Sequence, residues 1–233
     1  MFDLRSIVIG TVLMLKKYTC VNITIYAETN EEDFKNGIMA LPIIGLAIGF
    51  FAFIIAAFRF LYDSLFIGSI VLLYYSIITK AANLKDLYKT IAYYSKLFKE
   101  TDEIWSIIGT VIICLMYFSL FRIVPLTSLM LMPMVGFSTL IVLSKIIRRN
   151  ISETSILKNC EKHHVVTAFV ISFFLIVVLN YKLVISLSLT YMAIGMVVSL
   201  LDKKIKNLPS SIEGCIVEIS QIIFLLITYL LKL

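Results

Sequence analysis

Residues 103–144 read EIWSIIGTVIICLMYFSLFRIVPLTSLMLMPMVGFSTLIVLS. The string divides into two apolar runs, 103–121 and 126–144, separated only by residues 122–125. Wound as an α-helix at about 1.5 Å per residue, each run comes close to the ~30 Å hydrocarbon thickness of a bilayer. Arg122 is the only charge between Glu103 and Lys145. Reading outward from this pair, further apolar runs lie at 39–59, 64–79, 165–181, 183–201 and 215–231. The pattern predicts an all-α fold: a polytopic membrane protein of about seven transmembrane helices. With little sequence outside the runs, residues 1–233 are expected to form a single integral membrane domain.

The connections alternate in length and charge. Those at 80–102, 145–164 and 202–214 are long and rich in lysine and arginine, whereas 60–63, 122–125 and 182 are very short. Basic residues are retained on the cytoplasmic face during insertion. The three basic connections and the N-terminal segment 1–37 are therefore expected in the cytoplasm, and the C-terminus on the opposite side. The expected location is the cell (plasma) membrane. Composition agrees: 60% of residues are hydrophobic and the mean hydropathy is +0.98, above a soluble domain. The net charge of +6 sits in the loops, where it marks topology and attracts anionic headgroups. No stacking platform or groove-reading helix accompanies it, so nucleic acid is not an expected partner; the lipid bilayer is.

At the N-terminus, Ile7–Leu15 is apolar but too short to span, and Lys16 and Lys17 follow with no small-residue cleavage site. An interfacial helix is expected rather than a signal peptide. Cys20–Tyr26, CVNITIY, reads as a short strand or extended segment. Its Asn22-Ile-Thr24 sequon is attributed to chance in a cytoplasmic segment. Cys20, Cys114, Cys160 and Cys215 are scattered, without the spacing of a disulfide framework or zinc site.

Several positions stand out. Pro42 opens the first run, and Gly45 and Gly49 form a GxxxG pair that lets another backbone approach. Leu84, Leu87, Tyr88, Ile91, Tyr94 and Leu97 recur at helical spacing within 80–102, with lysines opposite. That loop reads either as an amphipathic helix on the membrane surface or as a platform for a phosphate-bearing substrate. Arg148 and Arg149 could hold a phosphate or mark topology. His163 and His164 are adjacent, a poor metal pair, and are expected at an exposed boundary. Glu218, near the start of the last run, is either functional or structurally paired. The scarcity of other charge within the runs speaks against an ion-coupled transporter.

Asn30–Gly49, NEEDFKNGIMALPIIGLAIG, resembles the N-terminal signature of the cobalamin synthase family, the adenosylcobinamide-GDP ribazoletransferases. Gly37, Pro42, Gly45 and Gly49 fall in place, and the order and spacing of spans continue along the chain. Ser211–Leu226 is similar to the family's C-terminal segment, with Gly214 and Glu218 matching. The resemblance implies a membrane-bound, magnesium-dependent transferase in cobalamin biosynthesis. It would join adenosylcobinamide-GDP to α-ribazole or its 5′-phosphate, releasing GMP.

The departures fall on the family's acids. Its His-Leu-Asp-Gly-Leu-Ala-Asp-Thr loop is here Asn83-Leu-Lys-Asp-Leu-Tyr-Lys-Thr90, so Lys85 and Lys89 stand where it has aspartates. Trp105 and Ser211 occupy two further aspartate positions, Gln221 a glutamate position, and Val135-Gly136 that of a serine-arginine pair. Magnesium is held by carboxylates together with substrate phosphates, and ammonium groups repel it. The acids left for a metal are Asp86, Asp102, Glu103 and Glu218; the candidates for phosphate are Lys85, Lys89, Arg148 and Arg149. No catalytic residue is assigned. Three functions remain open: the transferase, an inactive relative that binds a corrinoid or other cobalamin-pathway enzymes, and a small transporter.

Overall fold

A computed structural model describes residues 4–24, 26, 28–97, 103–147, 155–204 and 208–233. Among these residues the chain is helical and contains no strand. Helix α1 (Leu4–Tyr18) is followed by residues 21–24, which lack regular structure. Helix α2 (Glu31–Gly37) leads through a 3-10 turn, Ile38–Ala40, into α3 (Leu41–Ala57). Asp33 closes the start of α2 by accepting the Asn30 amide at 2.9 Å, satisfying an end group that the helix itself cannot. Pro42 sits in the first turn of α3, where its missing N–H costs nothing.

Helix α4 (Ser64–Ile78) is capped by Asp63, whose Oδ1 accepts the amides of Leu65 and Phe66 at 2.9 and 3.0 Å. It ends where Lys80 and Ala81 adopt positive φ, 53° and 49°. The chain then turns by 84° into α5 (Ala82–Leu97). With α4 along the membrane normal, α5 runs nearly parallel to the membrane plane. The remaining helices are α6 (Ile104–Ile123), α7 (Leu126–Leu143), α8 (Ile156–Asn159), α9 (Lys162–Asn180), α10 (Leu183–Lys204) and α11 (Ile212–Leu230).

Among the described residues six helical stretches are long and apolar enough to cross a bilayer, Glu31–Phe60 counting as one, and a seventh crossing is reached by counting the bent α4–α5 pair as one span. The expected run 64–79 is helical only over Ser64–Ile78, about 22 Å at 1.5 Å per residue, shorter than the hydrocarbon layer.

Helices α7 and α11 form the centre: 78% and 72% of their apolar windows are buried, against 22% for both α6 and α9. The outer faces present large apolar side chains, among them Phe50, Phe66, Leu115, Phe174 and Met192. Such a continuous apolar exterior suits lipid rather than water. Helix α3 packs on α7 through its two motif glycines. A Cβ at Gly45 would lie 2.7 Å from the Pro133 carbonyl, and one at Gly49 would collide with the Met130 carbonyl oxygen. Close backbone approach of this kind is how small residues hold membrane helices together.

Two readings of the loops change. Helix α5 is amphipathic as expected, with Leu84 and Leu87 buried and Lys85 and Lys89 exposed. Its buried face, however, lies against α11 and α6 rather than lipid, because Asn83 and Thr90 share that face and need polar partners. His164 is also not at an exposed boundary. It is 1% exposed, and its Nδ1 accepts the Glu161 amide at 2.9 Å to cap α9.

Candidate functional site

The C-terminal end of α1, helices α5 and α8, and the first turn of α11 converge at one end of the bundle. Glu213, in the first turn of α11, ties three of them together. Its Oε1 accepts the Ser155 hydroxyl at 2.5 Å and the Leu157 amide at 3.0 Å. Its Oε2 lies 3.9 Å from Lys17 Nζ. The Lys17 ammonium also lies over the rings of Tyr18 and Phe34, 5.2 and 5.3 Å from their centroids. Burial lowers the Lys17 pKa, with Glu213 and Asp86 opposing the shift. Burial raises that of Tyr18, reinforced by the same two acids.

Asp86 completes the end. It packs on Gly214, whose missing side chain makes room: a Cβ there would lie 2.6 Å from Asp86 Cβ and 2.9 Å from its Oδ2. The Asp86 side chain is half-buried. Among the described residues no ion pair within 4 Å and no hydrogen bond to it is formed. Burial raises its pKa; Lys89, Lys17 and Lys85 pull it down and Glu213 adds to the rise. Beside it, the hydroxyls of Thr90 and Ser211 share a buried hydrogen bond of 2.9 Å that fastens α5 to α11.

Glu218 lies deeper and is fully buried. Tyr75 Oη donates to its Oε1 at 2.8 Å and Tyr117 Oη to its Oε2 at 2.5 Å. Asn83 is a further hydrogen-bonding neighbour. Both phenols also lie within 3.1 Å of Gln221 Oε1, while Gln221 Nε2 is buried without a partner among the described residues. Each phenol has one proton and cannot serve two acceptors. Reversing the Gln221 amide removes the conflict, since Nε2 then donates to both phenols and they donate to Glu218. The cluster thus joins α4, α6 and α11 around one carboxylate.

Of the four acids proposed for a metal, the three that are described do not assemble. Asp86 sits beside Glu213, Glu218 lies among tyrosines, and exposed Glu103 accepts a 3.2 Å hydrogen bond from Tyr88. Asp102, Arg148 and Arg149 lie outside the described residues. No group of three or more His, Cys, Asp or Glu side chains among the described residues could hold a metal ion. The donor set at Asp86 and Glu213 does not suit magnesium. Glu213 already serves two donors and faces an ammonium group, and three lysines surround Asp86 electrostatically. Lys85 and Lys89 stand exposed on either side of Asp86 along α5. Glu213, Lys17 and Tyr18 were not singled out from sequence as site residues.

The described residues therefore define an all-α, polytopic membrane protein with a mixed-charge site at one end of the bundle. The chain is similar along almost its whole length to adenosylcobinamide-GDP ribazoletransferase of Alkaliphilus oremlandii (strain OhILAs). The two are 25% identical over 235 residues, spanning 94% of this chain and 96% of the relative. No family model matches the chain, and no solved structure matches it.

Proposed function

We propose that the protein is a membrane-embedded transferase that joins α-ribazole, or its 5′-phosphate, to adenosylcobinamide-GDP with release of GMP. The observation that carries this reading is end-to-end similarity to a protein of that name. It is supported by a site with the charge such a substrate needs. In the reaction the ribazole hydroxyl oxygen bonds to the phosphorus attached to cobinamide, and the bridging P–O bond to GMP breaks. Asp86, half-buried and without a direct partner among the described residues, takes the hydroxyl proton. Lys85, Lys89 and Lys17 offset charge on the diphosphate and on departing GMP; positioning and charge stabilisation are the main levers in phosphoryl transfer. The excess of lysine and arginine on the connections at this end supports a cytoplasmic site and N-terminus.

A second reading is a relative that binds a corrinoid intermediate or a partner enzyme without turnover. Lysines in place of loop acids favour it. One experiment separates the two: GMP release by purified protein in nanodiscs supplied with adenosylcobinamide-GDP, α-ribazole and magnesium. Release that stops when α-ribazole is omitted supports the transferase. No release, beside an active ribazoletransferase run in parallel, replaces it with the binding role.

A further inference from the structure

We infer that the end formed by α1, α5 and α11 holds a phosphate or diphosphate ester through lysine ammonium groups, without a divalent cation. This rests on the proposed reading of that end as the substrate site, and it separates the site from metal-dependent phosphate chemistry. Lys85 and Lys89 are four residues apart on α5, so their stems rise from the same face about 5–6 Å apart. Both are exposed, and among the described residues neither forms an ion pair within 4 Å. Asp86 lies between them in sequence and is likewise without a direct partner among the described residues.

Lys17 reaches the same region from α1, and its charge acts on Asp86 together with those of Lys85 and Lys89. Three ammonium groups thus act electrostatically on one carboxylate without a direct partner among the described residues, while the second carboxylate, Glu213, is occupied by Ser155, Leu157 and Lys17. A magnesium ion entering here would meet one available carboxylate and three like charges. Magnesium sites need one or two carboxylates with substrate oxygens, whereas lysine binds phosphate as a point charge and needs no metal. Lys80 Nζ, 3.4 Å from the Lys16 carbonyl oxygen, adds positive charge at the α4–α5 corner.

The phosphate could belong to a free nucleotide ester or to a lipid headgroup, and two arms distinguish these sources. The protein is reconstituted in phosphatidylcholine nanodiscs and titrated with radiolabelled GDP in EDTA, then with magnesium. A parallel set contains phosphatidylglycerol. Binding in EDTA is expected, with a Kd that magnesium changes by less than about twofold, a loss of at least about tenfold in K85A/K89A, and retention in K85R/K89R. Phosphatidylglycerol is expected to weaken GDP binding only slightly. Binding that requires magnesium overturns the metal-free inference while leaving an anion site in place. Absence of GDP binding in both conditions, by protein that elutes as a folded particle, overturns the substrate-site reading as well. Abolition of GDP binding by phosphatidylglycerol assigns the lysines to a headgroup and overturns the nucleotide source.

Discussion

Replacing Glu213 by alanine is expected to free α8 from the bundle, and Glu213→Gln shows how much of that tie is charge. In the alanine variant Ser155 Oγ and the Leu157 amide both lose their acceptor. Hydrogen bonds to a charged group contribute about 1.5–3 kcal/mol each. The two bonds share one oxygen and are not independent, so the expected loss is about 3 kcal/mol rather than twice the upper figure. The Lys17 contact is longer, 3.9 Å, with the Lys17 side chain 37% exposed, and adds about 0–1 kcal/mol.

A loss of 3 kcal/mol corresponds to about a hundredfold rise in the local opening constant. Hydrogen–deuterium exchange at Leu157, in nanodiscs, reads this directly. Glu213→Gln keeps a carbonyl acceptor at the same place but converts both bonds to neutral ones, worth about 0.5–1.5 kcal/mol each. Exchange at Leu157 is then expected to rise only about tenfold. Unchanged protection in Glu213→Ala would refute the tie between α8 and α11. Equal acceleration in both variants would show that charge, rather than acceptor geometry, holds α8.

Asp86→Asn is expected to abolish GMP release while leaving the protein folded. In the unsubstituted protein Asp86 must be ionised to accept a proton, so release is present above its pKa and lost as pH falls through it. Because burial raises that pKa, the acid limb of the pH–rate profile should lie above the ordinary aspartate range; a limb at or below that range would remove Asp86 as the base. Gly49→Leu should force α3 away from the Met130 carbonyl and cost about 1–3 kcal/mol by overpacking. An unchanged thermal transition in detergent would contradict the close α3–α7 contact. A reporter fused to the N-terminus should lie in the cytoplasm, and its detection on the outer face would invert the proposed orientation.

The spans were legible because each is a long apolar run, but hydropathy marks where a helix meets lipid, not where it begins. Helix α11 starts at Ile212 and α9 at Lys162, three residues ahead of the apolar runs beginning at 215 and 165. Those extra residues carry Glu213 and His164, two of the side chains whose roles were not legible in the sequence. A polar first turn projecting beyond the hydrocarbon is indistinguishable from loop by hydropathy alone. The partners of Glu213, at positions 17, 155 and 157, are too distant in sequence for spacing to connect them.

Helix α5 did carry a readable signal. Its buried face runs Asn83, Leu84, Leu87, Thr90, at helical spacing, and two of these four side chains are polar. A face turned towards acyl chains would leave the Asn83 amide and Thr90 hydroxyl without hydrogen-bond partners. Such a face has to be covered by protein carrying matching polar groups. Ser211 meets Thr90, and Glu218 meets Asn83. The lysines on the opposite side of α5 are exposed at this end of the bundle rather than packed against α11. That placement makes Lys85 and Lys89 neighbours of Asp86 within a site, and it is the physical reason to test them as phosphate ligands.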